Sequence, residues 1–143
     1  MKAAINRIAG MTLAGMADSN HWITMDADQA VGGRDGGARP MELLLLGLGG
    51  CTTMDVLSIL EKKRVHVDDY ECFLEAERAG EHPKVFTQIR IKFIFYGVAI
   101  PTEAVERAIA LSEEKYCSAS AMMRKTAEVK VEYEIRKSRA AAE

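Results

Sequence analysis

The 143 residues contain no run of lysines and arginines longer than the three at residues 62–64, and no stripe of basic side chains interleaved with aromatics. With 28% charged residues and a formal net charge of -2, that absence argues against a nucleic-acid face. Cysteine is scarce. Cys51, Cys72 and Cys117 are an odd set, so they show neither an even disulfide framework nor the paired ligand spacing of a zinc motif. His21, His66 and His82 stand apart from one another, and no metal is expected from them. The N-terminal "MKAAINRIAGMTLAGMADS" has the small residues of an export signal, but Asn6 and Arg7 interrupt its apolar stretch. A reducing cytoplasm is therefore expected, where any disulfide is transient. No repeat and no long linker divides the sequence. The expectation is one domain, residues 1–143, able to bury roughly two thirds of its unfolded surface.

What the sequence does have is "ELLLLGLGGCTTMDVLSIL", an apolar run with three glycines and a cysteine at its centre. Gly47, Gly49 and Gly50 each cost a helix about 1 kcal/mol relative to alanine, so close packing or chemistry has to require them. Pro40 fits the first turn, and Lys62, Lys63 and Arg64 suit the negative end of the dipole, which predicts a helix from Pro40 to about Lys63. The length approaches that of a membrane span, but Glu42, Thr52, Thr53, Asp55 and Ser58 argue against one. Being apolar nearly all round from Leu43 to Gly50, the helix is expected to be buried on every side. Strands cover one side, and a second copy of the chain is the simplest cover for the other.

Around this helix the pattern predicts three short N-terminal strands, "KAAINRIA", "MTLAGM" and "HWITMD", followed by a mobile connection over residues 26–39 with four glycines. Two half-exposed strands come after it. Tyr70, Cys72, Leu74 and Ala76 share one face of the first, and Ile89, Ile91, Phe93 and Phe95 one face of the second. A helix after Pro101 turns Ala104, Val105, Ala108, Ile109 and Leu111 inward and loses register near Tyr116. Ser118 is placed to cap a short helix, "ASAMMRKTA", and "EVKVEYEI" forms the last strand before a solvated tail, "RKSRAAAE". This order means α+β with antiparallel sheets.

Among candidate sites, "GLGG" lacks the glycine that a dinucleotide fingerprint needs at Thr52, and no phosphate-loop lysine follows. Arg34 in "GGRDGG" is read as part of a surface turn, and Cys72 as core. Cys117 lies just before a helix N-terminus, where first-turn amides favour an anion and predict a lowered thiol pKa. Cys51 has Asp55 one turn ahead, which disfavours a thiolate. A basic partner is therefore required from Arg7, Arg34, Arg39 or Arg124.

The segments "RPMELLLLGLGGCTTMDVLSIL" and "LSEEKYCSASAMM" resemble the OsmC/Ohr superfamily of thiol-dependent peroxide-detoxifying proteins, and the likeness of length and element order extends over essentially the whole chain. It is nearest to a short OsmC-like branch. The resemblance implies an intertwined homodimer whose sites draw on both chains, with Cys51 as the peroxidatic cysteine and Cys117 as the resolving one. An external dithiol would reset the pair, with no cofactor, metal, nucleic acid or membrane involved. The substrate implied is an organic hydroperoxide or another small apolar molecule. The sequence departs from the family pattern where Met41 follows Pro40 and Glu42 comes one position later, and again at Ser118, a position often occupied by proline. The alternative implied by the departure at Met41 is a non-enzymatic module that binds a small apolar ligand or scavenges electrophiles.

Overall fold

Short antiparallel strands open the chain. The computed structural model describes residues 1–138 and divides into two compact units, one running Met1–Leu44 and the other beginning at Leu45. In the first unit β1 (Ala3–Ala9), β2 (Thr12–Ala17) and β3 (Trp22–Met25) form one antiparallel sheet in chain order. Its register sets Ile5 opposite Gly15, and Gly15 opposite Ile23. Ile5, Ile23, Met25 and Leu43 line an apolar depression of about 230 Å³ over this sheet.

Residues 26–39, expected as a mobile connection, are instead organised around a buried carboxylate. Asp26 accepts hydrogen bonds from the Thr12 hydroxyl (3.0 Å) and from the amides of Ala27 (2.8 Å), Arg34 (3.1 Å) and Gly36 (3.0 Å). The glycines serve this compactness. A Cβ at Gly33 would lie 1.8 Å from the Ala27 carbonyl oxygen, so no side chain fits there. The sequence pattern hid this because glycine-rich composition looks the same in a loose loop and in a tightly folded one.

The helix α1 (Pro40–Lys62) matches the predicted span. Glu42 accepts a hydrogen bond from the Arg39 amide at 2.9 Å, which satisfies one donor at the helix start. In the second unit, β4 (Asp69–Arg78), β5 (Phe86–Tyr96) and β6 (Glu128–Arg136) form the other sheet, with β5 central. Tyr70, Cys72 and Leu74 stand opposite Phe95, Phe93 and Ile91. These in turn pair with Ile135, Tyr133 and Val131, so the inward face is the one the alternation predicts. Tyr70, Phe93 and Phe95 form an aromatic cluster with ring centroids 5.1–6.2 Å apart.

The class is α+β as expected, with two corrections. The β5–β6 pairing is parallel, because two helices intervene and carry the chain back to the starting end of the sheet. Nor is β5 half-exposed: Ile94 and Tyr96, on its other face, are buried with Phe93 and Phe95, as suits a central strand. Of the tail, Arg136 closes β6, and residues 139–143 lie outside the described residues.

Between β5 and β6 run α2 (Thr102–Leu111), a π-helical turn (Ser112–Tyr116) and α3 (Ser118–Met123). Val105, Ala108 and Ile109 of α2 are buried along the predicted stripe. The register lost near Tyr116 is this π turn, in which the Cys117 amide donates to the Ser112 carbonyl at 2.8 Å.

Candidate functional site

Packing against the second sheet determines which face of α1 is available for chemistry. Gly49 presses on β4: an added Cβ would lie 2.6 Å from Leu74 Cδ1. Four residues on, the Thr53 hydroxyl donates to Tyr70 Oη at 3.3 Å. Leu48, Thr52 and Val56 are buried, and the Thr52 hydroxyl is satisfied by the Leu48 carbonyl. Of the three glycines, only Gly49 is demanded by packing within the chain. Nothing lies within 4 Å of a Cβ built at Gly47 or Gly50. Within a single chain Leu46 (63% exposed) and Met54 (74%) stay open, so the chain's own strands do not cover α1 on every side.

Cys51 and Asp55 project from α1 one turn apart and meet Cys117 at the end of the π turn. The Cys51 sulfur, an Asp55 carboxylate oxygen and the Cys117 sulfur all lie within 4.8 Å of one another. Cys51 is half-buried and Cys117 is 2% exposed, and neither is in a disulfide. The Ser112 hydroxyl, fully buried, donates to Asp55 Oδ2 at 3.3 Å and orients the carboxylate. A depression of about 320 Å³ opens beside Asp55, lined by Ser58, Ile59, Leu111 and Tyr116 together with Lys62 and Lys63.

The electrostatics of Cys117 overturn the expectation of a lowered pKa. Burial pushes its thiol up to about 11; the Ser120 amide, donating to the sulfur at 3.3 Å, pulls the other way, while Cys51 and Asp55 push it further up. Cys117 itself occupies the capping position that the sequence suggested for Ser118. One partly effective amide does not offset the desolvation of an anion in so closed a place.

Cys72 stays apart from this cluster as a half-buried strand residue, its thiol pushed up first by burial. Of the arginines considered as partners for Cys51, Arg39 is engaged by Asp35 and by Asp28 (3.3 Å), and Arg124 by Glu113 and the Ser120 hydroxyl. Arg7 and Arg34 have no side-chain hydrogen bond or ion pair among the described residues. Glu42 is committed to the Arg39 amide.

Sequence reasoning missed Ser112. Its signal was present nonetheless: a serine at the next helical step after Val105, Ala108 and Ile109, on an otherwise apolar stripe.

Fold and site together define a paired-thiol α+β protein, with one cysteine on a long apolar helix and the other at the end of a π turn. The chain belongs to the OsmC-like protein family, whose family model matches residues 32–132. The protein YhfA of Escherichia coli K12 is 40% identical over 135 residues, covering 94% of this chain and 98% of YhfA. A hypothetical protein from Aquifex aeolicus VF5 superposes with a TM-score of 0.84 at 33% identity, over 96% of this chain and 97% of that one. An organic hydroperoxide resistance protein OsmC from Legionella pneumophila shares the fold, with a TM-score of 0.70 at 16% identity over 92% and 94% of the two chains. By length and composition alone α1 would pass as a membrane span, the only such helix among the described residues. In the OsmC-like architecture it is the central helix.

Proposed function

We propose that this protein is a cytoplasmic, homodimeric thiol-dependent reductase of organic hydroperoxides. The observation that carries the reading is the convergence of the Cys51 and Cys117 sulfurs within 4.8 Å while both are free thiols. Cys51 is the more accessible of the two and takes the peroxide. Its sulfur attacks the O–O bond and is oxidised to sulfenic acid, and the substrate leaves as an alcohol carrying the thiol proton. Cys117 then attacks the Cys51 sulfur. The S–S bond forms, the S–O bond breaks, and the Cys117 proton departs with the hydroxide as water. An external dithiol reduces the disulfide by two exchange steps and is itself oxidised. Ile59, Leu111 and Tyr116 in the depression beside Asp55 offer contacts to an alkyl or aryl hydroperoxide that hydrogen peroxide cannot use. The exposed Leu46 and Met54, with open space at Gly47 and Gly50, support a second copy of the chain lying against α1.

Peroxide consumption by the reduced protein with excess dithiol tests this. Turnover is expected to be faster with an organic hydroperoxide than with hydrogen peroxide, absent in Cys51→Ser, and stalled after one oxidation in Cys117→Ser. Consumption no faster than in Cys51→Ser, with any dithiol, refutes it.

One observation favours a second reading, a non-enzymatic module binding a small apolar ligand. Glu42 and Arg39, the carboxylate and guanidinium at the start of α1, are taken up in capping and in local ion pairs. Absent turnover, with an apolar probe still bound, selects this reading.

A further inference from the structure

Cys51, Asp55 and Cys117 are scattered in sequence and adjacent in space. Their donor atoms, two sulfurs and a carboxylate oxygen, all lie within 4.8 Å of one another, two of the residues half-buried and one buried. Tetrahedral zinc has Zn–S near 2.3 Å and Zn–O near 2.0–2.2 Å, which separates its ligand atoms by roughly 3.5–3.8 Å. The three donors need move by no more than about 1 Å to share one ion.

The carboxylate is held for this role. Asp55 sits one helical turn from Cys51 on the same face of α1, and the fully buried Ser112 hydroxyl fixes it through one oxygen. Among the described residues the cluster has no cation bonded to it, although Lys62 and Lys63 line the depression beside Asp55. No lysine or arginine among the described residues donates to any of the three, and Arg124, the guanidinium of the neighbouring segment, is spent on Glu113 and Ser120. As thiolates beside a carboxylate these donors are costly without a positive partner. A divalent ion removes that cost, and two thiolates with one carboxylate select a borderline-soft metal over magnesium or calcium. No motif signals this cluster, because the two cysteines lie on different elements and have no paired spacing.

We propose that the reduced protein binds one thiophilic divalent cation of the zinc class per chain through Cys51, Asp55 and Cys117, with water completing the tetrahedron. Binding releases the two thiol protons and changes no oxidation state. A two-electron oxidant such as a hydroperoxide, which takes up two protons and is reduced to an alcohol and water, converts the pair to a disulfide, withdraws both sulfurs and frees the ion. This goes beyond the peroxide reading and does not rest on it, since only the reduced thiols are needed.

Cobalt(II) titration of the reduced, metal-free protein tests it. The expected result is thiolate-to-cobalt absorption with tetrahedral d–d bands, saturating at one ion per chain and displaced by zinc. The bands are expected to be absent from wild-type protein oxidised to the disulfide, which needs no variant to fold. Cys51→Ser and Asp55→Asn should each lose the wild-type spectrum, Ser112→Ala should weaken binding by roughly 10- to 100-fold, and Cys72→Ser should change nothing. No thiolate band in the reduced wild type overturns the proposal, as does a band that survives oxidation or one lost in a natively folded Cys72→Ser. Peroxide consumption is measured separately on metal-free protein. Failed turnover with intact cobalt bands then sinks only the peroxide reading, and the converse sinks only the metal site.

Discussion

Cys51 and Cys117 hold their sulfur atoms within 4.8 Å of each other, one fixed mid-helix in α1 and the other delivered by a π turn. An S–S bond is near 2.05 Å, so the sulfurs must approach by up to about 2.7 Å to close the gap. Mild oxidation followed by peptide mapping should link these two and leave Cys72 free. A major disulfide containing Cys72 would contradict the pairing.

The two thiols should also react unequally. With its thiol pushed up to about 11, Cys117 is only ~0.1% thiolate at pH 8, and it is nearly inaccessible. Alkylation of the native protein at pH 8 should modify Cys51 well before Cys117, and the Cys117 rate should climb as pH approaches 11. The same shift fixes a sign for stability. A thiol pKa raised by folding contributes stability that is fully present below the unfolded value near 8.5 and is lost as pH rises through the folded value. Chemical denaturation between pH 8 and 11 should therefore show stability falling, and because Cys72 is also pushed up by burial, a slope reduced rather than abolished in Cys117→Ala supports the assignment. Equal alkylation rates for the two cysteines at pH 8 would refute it.

Much of this arrangement was legible in the sequence, and the gaps have physical causes. Period-two alternation places Tyr70, Cys72 and Leu74 opposite Ile91, Phe93 and Phe95 because a half-buried sheet leaves that imprint. Strand direction leaves none, so the parallel β5–β6 pairing was not foreseen. The position of Cys117 beside a helix start was readable, but its burial depends on how the π turn packs, and burial set the direction of its pKa. Asp55 was visible as a neighbour of Cys51. Ser112, which orients it from a distant segment, requires the tertiary fold.

Asp26 predicts an acid-sensitive loop. The Gly36 amide holds its carboxyl below the ordinary range against the opposing effect of burial, aided by the Ala27 amide, the Thr12 hydroxyl and the Arg34 amide. A depressed carboxyl pKa contributes stability that is present above the unfolded value near 3.9 and is lost as pH falls through the folded value. Asp26→Asn should be less stable than wild type at pH 7, since its amide group turns a donor toward donors, and the difference should shrink below pH 4. Urea midpoints across pH 3–7 measure this. A constant difference at every pH would count against Asp26 as the titrating group.

The glycines of α1 separate packing within the chain from packing against a second copy. Gly49→Ala drives a methyl into Leu74, and although that side chain has a flexible tip, overpacking of this kind should cost about 1–3 kcal/mol of stability. Gly47 faces open space within the chain, so by helix propensity alone Gly47→Ala should stabilise by about 1 kcal/mol. If a second chain lies against Leu46 and Met54, the methyl at residue 47 meets that partner instead, and the gain is cancelled or reversed while Gly49→Ala remains destabilising. Sedimentation and chemical denaturation of both variants at several protein concentrations resolve the two effects. A dimer is expected in the wild type, with Gly47→Ala raising its dissociation constant and Gly49→Ala acting at every concentration alike. A folded monomer stabilised by Gly47→Ala would mean that α1 keeps this apolar face open to solvent, and the homodimer would have to be abandoned.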